Sequence, residues 1–287
     1  MAKIPENPNT TKHLLDSTMP ESKGDGPRLY LGMSSIGDPC ARKLWYSFRW
    51  ASSGSHTPRT LRIFERGDLE EARVITALKR IGIECFRRDE YGEKVEITGA
   101  VGEEQEEIIG FAGHAKGHPD GRCLGVVESP KTEHLLEIKT MNDAGFKKLV
   151  KEGLKKSKPV YYSQVQVYMA RLKLKRTLHI TVNKNDEEYY IERVKFDEDH
   201  AKDMERREQD IIMSDIPPIK EFPKVWYACK MCNHYNVCQE QAPPNVNCRS
   251  CANVEMEIDG VWKCAINSEQ LNKAKQLAGC SSYRRAW

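Results

Sequence analysis

The heptapeptide HLLEIKT, residues 134–140, places two charges in an otherwise apolar stretch that has the character of a β-strand. Side chains alternate across a strand, so Glu137 and Lys139 project from one face while Leu136 and Ile138 project from the other. Burying an isolated charge costs several kcal/mol, so such a pair on a short apolar strand indicates a partner, a metal or a substrate. The alternative is a strand at a sheet edge with a solvated polar face.

The composition is that of a soluble globular protein. The chain has 287 residues, 39% hydrophobic and 30% charged, which is enough for one large domain with a small satellite. It has no apolar run near the length of a membrane span, so no membrane association is expected. The first residues do not resemble a secretory signal, which predicts a cytoplasmic location, the host cytoplasm if the chain is phage-encoded. The net charge of +3 is too small to indicate nucleic-acid binding by itself.

The periodicity of apolar residues predicts an α/β fold. Residues 1–28 are polar and predict a loose extension. Residues 60–81 predict a helix with a core face of Leu69, Val74, Leu78 and Ile81. The other predicted elements are mainly antiparallel strands over 94–99, 108–121, 123–128 and 135–140, helices over 142–153 and 159–172, strands over 176–186 and 188–196, and a helix over 198–215. This order indicates an α/β sandwich rather than a doubly wound fold.

A second carboxylate precedes the charged strand. Asp120 lies just before the predicted strand over 123–128, and a hairpin between the two strands would bring it beside Glu137. Two carboxylates and a lysine on one patch suit a magnesium or manganese site, because oxygen ligands hold these hard cations. Metal-assisted phosphodiester hydrolysis is the chemistry that such a patch favours.

Three short motifs occur in this order along the chain: Gly67-x-x-x-Glu71, Asp120 followed by Glu137-Ile138-Lys139, and Gln164-x-x-x-Tyr168. Together they resemble the PD-(D/E)xK nuclease superfamily, and the last is similar to the Q-x-x-x-Y helix of RecB-like nucleases. The resemblance covers roughly residues 30–240. It implies a restriction-endonuclease-like core, in which a mixed central sheet is flanked by helices.

The resemblance also implies roles for these residues. Asp120, Glu137 and the Ile138 carbonyl would be metal ligands, and Glu71 would complete the set, with Glu70 as its competitor. Lys139 would orient the attacking water or stabilise developing charge. Gln164 and Tyr168 share a helical face and would reach both the site and DNA. His114 is a further metal-site candidate, for which a surface or core position is the alternative.

The chain contains 10 cysteines, which in a reducing cytosol are metal ligands or core residues more often than disulfides. One set is Cys40 with Cys229-x2-Cys232-x5-Cys238. One cysteine before the core and three after it resemble the iron-sulfur staple of AddB-type and CRISPR-associated RecB-like exonucleases, which implies a 4Fe-4S cluster. Zinc is the alternative metal, and a buried core position is the alternative for Cys40.

A second set follows in residues 243–287, which we expect to form a small zinc-binding module: Cys248, Cys251, Cys264 and Cys280. Two strands around an Asp259-Gly260 turn would return Cys264 to the Cys248-x2-Cys251 knuckle. Two roles are open for this module: it binds DNA, or zinc only stabilises its fold and it does not contact the substrate. Cys85 and Cys123 belong to neither set and are expected in the core.

Two surfaces are candidates for DNA binding. The lysines between Lys147 and Lys158 would line the path of a strand, or else form a solvated helix face. Arg42, Lys43, Trp45 and Tyr46 offer charge and stacking, with ordinary packing as the alternative.

The function expected from these motifs is that of a metal-dependent exonuclease acting at mainly single-stranded DNA ends, with a RecB-like domain over residues 29–242. The sequence context resembles phage-encoded members, which implies a role in phage DNA replication or recombination and a partner from that machinery. A CRISPR-adaptation nuclease that trims DNA ends and a non-catalytic DNA-binding scaffold are the alternatives.

Overall fold

A computed structural model describes residues 10–19, 27–54 and 56–287. Within the predicted N-terminal extension, Thr11–Ser17 form a helix, and the Asp16 carboxylate pairs with Arg62 at 2.8 Å. Residues 1–9 and 20–26 of that predicted extension lie outside the described residues.

The chain has a mixed α/β architecture, as predicted. Its helices are α1 (Thr11–Ser17), α2 (Ala41–Phe48), α3 (Pro58–Arg80), α4 (Asp143–Ser157), α5 (Pro159–Leu172), α6 (Glu198–Met213), α7 (Tyr227–Lys230), α8 (Tyr235–Gln239) and α9 (Lys273–Ala278). Its strands are β1 (Leu31–Gly32), β2 (Glu84–Arg88), β3 (Lys94–Glu96), β4 (Ile108–Ile109), β5 (Ala115–Gly117), β6 (Gly121–Leu124), β7 (His134–Met141), β8 (Arg176–Asn183), β9 (Tyr189–Lys195), β10 (Val254–Met256) and β11 (Trp262–Cys264). Across the described ranges, no helix is both long enough and apolar enough to cross a bilayer.

The central sheet has six strands in the order β3-β2-β6-β7-β8-β9. Strands β7 and β8 are parallel, whereas the other neighbours in this sheet pair antiparallel. The parallel pair needs a long crossover, which α4 and α5 provide. β7 therefore lies inside the sheet and not at its edge.

Helix α3 covers one face of this sheet. Thr57 caps its N-terminus and Pro58 occupies its first turn, where a missing N–H costs nothing. Val74 and Leu78 pack in one buried cluster with Leu136 and Ile138 of β7.

The predicted core face of α3 was wrong at two positions. Leu69 is 53% exposed and Ile81 is 67% exposed. Leu69 lies five residues before Val74, about 140° around the helix, and so points away from the sheet. Ile81 follows the last helical residue.

Helices α4 and α5 pack on the opposite face, where Leu135 joins the larger buried cluster with Val165 and Leu149, and α6 packs on α5. Pro159 starts α5, and Lys173, in the left-handed conformation with φ of 56°, ends it. Glu137 and Lys139 project toward this helical layer, because they alternate with Leu136 and Ile138 along β7.

The C-terminal module, residues 243–287, contains the predicted hairpin. β10 and β11 pair antiparallel, and the turn contains Asp259 and Gly260 with φ of 59° and 72°. Trp262 of this hairpin is buried in the large cluster of the main domain. The module is thus packed against the main domain.

Candidate active site

Asp120 and Glu137 lie side by side because β6 and β7 pair antiparallel. The register aligns Gly121 with Leu136. Asp120 precedes Gly121 and Glu137 follows Leu136, so the antiparallel pairing places these two acidic residues next to each other. Asp120 Oδ2 accepts a hydrogen bond of 2.6 Å from the backbone N–H of Ile138. The predicted hairpin is confirmed.

The Glu137 carboxylate is fully buried. Its Oε1 atom accepts hydrogen bonds from the Lys139 ammonium and, at 2.7 Å, from the Gln164 side-chain amide. Its Oε2 atom has no hydrogen-bond partner among the described residues. A buried carboxylate oxygen without a partner costs free energy, so this atom is placed to bind a group that enters the site. The alternative of a solvated edge strand is wrong.

The Lys139 ammonium lies among three oxygens of the site. They are Glu137 Oε1, the Ile138 carbonyl oxygen at 3.1 Å and Asp120 Oδ2 at 3.8 Å. Burial disfavours the charged lysine, but the carboxylates of Asp120 and Glu137 outweigh it and raise the pKa of Lys139. Lys139 is therefore a cation at neutral pH, and it contacts the three oxygens that the family resemblance assigns to a metal.

Glu71, and not Glu70, faces this site. Glu71 lines the same cleft as Asp120, whereas the buried Glu70 carboxylate pairs with Arg73 at 2.6 Å. Burial, followed by the charge of Asp120, raises the pKa of Glu71 to about 8. The structure thus brings Glu71 to the pair formed by Asp120 and Glu137.

The donor set has the chemistry of a site for a hard divalent cation. Burial raises the pKa of Glu137 to about 7, with Lys139 opposing the rise and Asp120 adding to it. Crowded carboxylates bind protons tightly for the same reason that they attract a cation. As they stand, no three His, Cys, Asp or Glu side chains in the described part of the chain meet in a geometry that could hold a metal ion. The hard oxygens and the partnerless Glu137 Oε2 nevertheless fit magnesium or manganese.

Helix α5 supplies Gln164 and Tyr168 to the same cleft. Burial, followed by the charge of Glu137, raises the pKa of Tyr168, so its hydroxyl keeps its proton. The backbone of His118 slightly opposes this rise in the pKa of Tyr168. The Tyr168 ring packs so closely on β5 that a Cβ at Gly117 would clash with it. The glycine is thus required for this close approach.

The cleft has a volume of about 1420 Å³. On one side it is lined by the residues described above. The rest of its lining comes from distant segments: residues 27–34, residues 50–54, His56, residues 63–68 of α3, and Asn245, Val246, Asn247 and Leu277 of the C-terminal module. The module therefore borders the candidate active site, a position that the sequence alone did not predict.

The prediction of His114 as a metal-site residue was wrong. His114 is not among the described residues that line the cleft. Its buried ring packs edge-on against Trp262 and Phe48, and its Nε2 atom lies 2.7 Å from the Glu257 carbonyl oxygen. Burial lowers the pKa of His114. The core alternative is therefore correct, and the ring helps to dock the C-terminal hairpin.

Both predicted DNA-binding surfaces lie outside the cleft. Of the described cleft residues, none belongs to the lysine run from Lys147 to Lys158, and Lys147 pairs with Asp143 at 2.9 Å. That run forms a charged face along α4. Trp45 and Tyr46 are buried in the core, so ordinary packing is the correct interpretation of that surface too.

Strand β8 places two further polar residues next to the site, and neither belongs to the three sequence motifs. His179 is in register with Glu137 and Thr181 with Lys139, and both are fully buried. Their side chains lie 2.9 Å apart, and burial, followed by the charge of Lys139, lowers the pKa of His179 to about 3. The signal was present in the sequence, since polar residues alternate with apolar ones in this strand as they do in β7.

The first cysteine set comes together from distant segments. Cys40 caps the N-terminus of α2. Burial raises the pKa of Cys40, and Cys232 and Cys238 are close enough to add to the rise. Burial also raises the pKa of Cys232, and Cys238 and Cys229 add to that rise. The Cys232 sulfur accepts a hydrogen bond of 3.4 Å from the His234 N–H. Charges within this set therefore act on one another, although no three of these thiols meet in a geometry that could hold a metal ion.

The second cysteine set shows the same electrostatic effects, again without three thiols in a geometry that could hold a metal ion. Burial raises the pKa of Cys248, and the other three members, Cys280, Cys251 and Cys264, add to the rise. The Cys251 sulfur accepts a bond of 3.4 Å from the Asn253 N–H, in the same relation as Cys232 and His234. All 10 cysteines are free thiols, and Cys85 and Cys123 face each other in the buried part of the central sheet, as predicted.

Comparison with known proteins gives distant structural similarities. Neither a protein-family model nor a curated protein matches this sequence. The crystal structure of the alkaline exonuclease LHK-Exo from Laribacter hongkongensis and that of LHK-Exo in complex with dAMP each have a TM-score of 0.44 and 17% identity to this chain, covering 64% of this chain and 86% of that chain. The crystal structure of SSO0001 has a TM-score of 0.41 and 14% identity, covering 80% of this chain and 94% of that chain.

Proposed function

We propose that this chain is a Mg²⁺- or Mn²⁺-dependent deoxyribonuclease of the PD-(D/E)xK type, an exonuclease that hydrolyses phosphodiester bonds at mainly single-stranded DNA ends. One observation carries the proposal: the Lys139 ammonium, which lines an open cleft together with Asp120, contacts the carboxylates of Asp120 and of the buried Glu137. A fixed cation beside crowded carboxylates suits phosphodiester hydrolysis, because the attacking water and the phosphate must be bound and activated together.

Each residue of the site has a distinct task in this proposal. The ligands of the divalent cation would be Asp120, Glu137, Glu71 and the Ile138 carbonyl. A cation bound there supplies a water of lowered pKa and neutralises charge on the phosphate. Lys139 donates a hydrogen bond to the oxygen on which charge develops. Gln164 fixes the orientation of Glu137 through their bond of 2.7 Å, and Tyr168 forms part of the cleft wall.

The biological setting of this activity is proposed on the sequence resemblance alone. The RecB-like domain would span residues 29–242, and the enzyme would act in the cytoplasm of a phage-infected cell. Its DNA ends would arise in phage replication or recombination, where a protein of that machinery would be its partner.

We also propose that the two cysteine sets bind metal. Cys40, Cys229, Cys232 and Cys238 would hold a 4Fe-4S cluster, and Cys248, Cys251, Cys264 and Cys280 would hold zinc. Support comes from the sequence resemblance and from the electrostatic effect of the thiols on one another within each set, which a cation would relieve. As they stand, no three of the described thiols meet in a geometry that could hold a metal ion. The iron, sulfide and zinc contents and the visible absorption of anaerobically purified protein test this assignment. Colourless protein that contains only zinc would contradict the cluster.

The test of the function is degradation of DNA labelled at its 5′ or its 3′ end, single-stranded or duplex, with magnesium or manganese. Metal-dependent degradation by the wild type, lost in Asp120→Asn, is the expected result, and the label pattern gives the polarity. Asp210→Asn, which removes an exposed carboxylate of α6, is the matched control and should keep full activity. A wild type that binds DNA but never cuts it with either metal would favour the scaffold alternative.

A further inference from the structure

Four apolar side chains from two distant parts of the chain line the catalytic cleft. They are exposed by 39% to 58%, and we call them the apolar lips: Ile63 and Phe64 of α3, and Val246 and Leu277 of the C-terminal module. Exposed apolar area is unfavourable in water, and its concentration along one cleft indicates a binding surface.

The lip from the C-terminal module is held rigidly. The Asn245 N–H donates to the Ala51 carbonyl at 2.8 Å, and the Asn247 side-chain amide donates to the Trp50 carbonyl at 3.0 Å. Two residues later, the buried Arg249 donates to two further backbone carbonyls of the main domain. Because the segment around Val246 is fixed on both sides, this lip does not have to be ordered when a ligand binds.

The charges of the cleft define the kind of ligand. Arg28 lines the same cleft as the lips and forms no ion pair with any described residue. Lys116 and Lys139 provide further positive charge, each paired with a carboxylate. The carboxylates of Asp68, Glu71 and Asp120 also line the cleft. A ligand that satisfies cations and apolar side chains together carries phosphates and flat apolar groups, which is the chemistry of a nucleic-acid strand.

Only an unpaired strand offers the faces of its bases. In a duplex, the base faces are covered by stacking, so the apolar lips would meet only groove edges and phosphates. In a single strand, a base can leave the stack and pack against apolar side chains, while its phosphate reaches the catalytic centre.

We infer that the apolar lips grip an unstacked nucleobase of a single DNA strand whose neighbouring phosphate lies at the Asp120–Lys139 centre. The C-terminal module is then a substrate-binding wall that selects unpaired strands. This inference rests on the proposed nuclease function and adds the element that recognises its substrate.

Binding in EDTA, where cleavage is stopped, tests the lips directly. Fluorescence anisotropy would compare a labelled oligothymidylate with an abasic oligomer of the same length and charge. The wild type should bind the oligothymidylate at least about fivefold more tightly. The double variant Val246→Ser/Leu277→Ser should lose this preference and keep its affinity for the abasic oligomer.

Two matched controls keep the test specific. Ile266→Ser removes an exposed apolar side chain of the same module, and Leu69→Ser removes one from α3, both outside the cleft. Both controls should retain the preference. Equal wild-type affinity for the two oligomers, no binding to either, or the same loss in the controls would overturn the inference.

A substrate without a base separates this inference from the proposed function. Hydrolysis of bis(p-nitrophenyl) phosphate with magnesium or manganese reports on the catalytic centre alone. If the wild type hydrolyses the diester but binds the two oligomers equally, the result would support the proposed nuclease function and contradict the inferred role of the apolar lips. A base preference that the double variant loses, without hydrolysis of either the diester or DNA, would support the lips and reject the nuclease.

Discussion

Replacement of Lys139 by glutamine is expected to lower kcat on DNA by about 10²–10³-fold, the usual cost of losing a group that stabilises transition-state charge. Lys139 contacts the Glu137, Ile138 and Asp120 oxygens at the centre of the site. Glutamine is shorter and neutral, so it can neither neutralise the charge of the carboxylates nor stabilise the negative charge that develops in the transition state.

The pH profile of Lys139→Gln should change as well. The Lys139 ammonium opposes the rise in the pKa of Glu137 that burial causes. Without it, that pKa rises further, and a higher pH is needed to ionise the carboxylate. The acid limb of the residual activity should therefore move to higher pH.

Single-turnover cleavage of labelled DNA across a pH series would measure both effects. Lys147→Gln is the matched control, because Lys147 is exposed on α4, pairs with Asp143 and lies outside the cleft. Its activity and pH profile should match those of the wild type. A wild-type rate in a folded Lys139→Gln protein would contradict the assigned role.

The second large effect is expected on stability: Arg249→Met should lower the free energy of unfolding by about 2–5 kcal/mol. The Arg249 guanidinium is fully buried and has three hydrogen-bond acceptors: the Phe48 carbonyl at 3.1 Å, the Leu29 carbonyl at 2.7 Å and Gln276 Oε1 at 2.7 Å. It also packs over the rings of Trp50, at 4.1 Å, and Trp262, at 4.5 Å. Methionine fills similar space but donates no hydrogen bond.

One contribution has the opposite sign. Burial, followed by the charge of Arg49, lowers the pKa of Arg249 to about 9, so keeping this cation in the core is itself costly. Methionine removes that cost. Nevertheless, two buried acceptors, the Phe48 carbonyl and the Gln276 side chain, would lose their donor, each at a cost of about 1–3 kcal/mol, and the loss should prevail.

Urea unfolding at neutral pH would measure the change, with Arg284→Met as the control. Arg284 is exposed on the same module, so its replacement should leave the unfolding midpoint unchanged. Equal midpoints for the wild type and Arg249→Met would show that this arginine does not hold the module to the main domain.

Features that depend on local spacing could be predicted from the sequence. The alternation in HLLEIKT predicted that Glu137 and Lys139 share one face, and the short connection to the preceding strand predicted the hairpin that brings Asp120 beside them. The Asp259-Gly260 turn predicted the β10–β11 hairpin. These predictions are confirmed because backbone geometry sets side-chain periodicity and turn conformation within a few residues.

Features that depend on which surfaces pack together could not be predicted. His114 has the residue type of a metal ligand, but the aromatic cluster around Trp262 takes it into the core. Glu70 and Glu71 are adjacent in sequence, and only the contact of α3 with the sheet turns Glu71 toward Asp120. A histidine or a glutamate can lie in a metal site or elsewhere, so only the packing of the folded chain decides where each of these residues lies.

The chain alone therefore specifies the charged strand, its partner carboxylate and most of the long helices and strands, because each follows from short-range periodicity. It did not predict β2, which belongs to the central sheet. The second wall of the cleft depends on Arg249, which docks a module more than a hundred residues away from the catalytic strand in sequence. The parallel pairing that sets His179 beside Glu137 also joins segments separated by two helices. Such contacts form only when distant apolar surfaces are buried together, and no local pattern along the chain encodes which surfaces will meet.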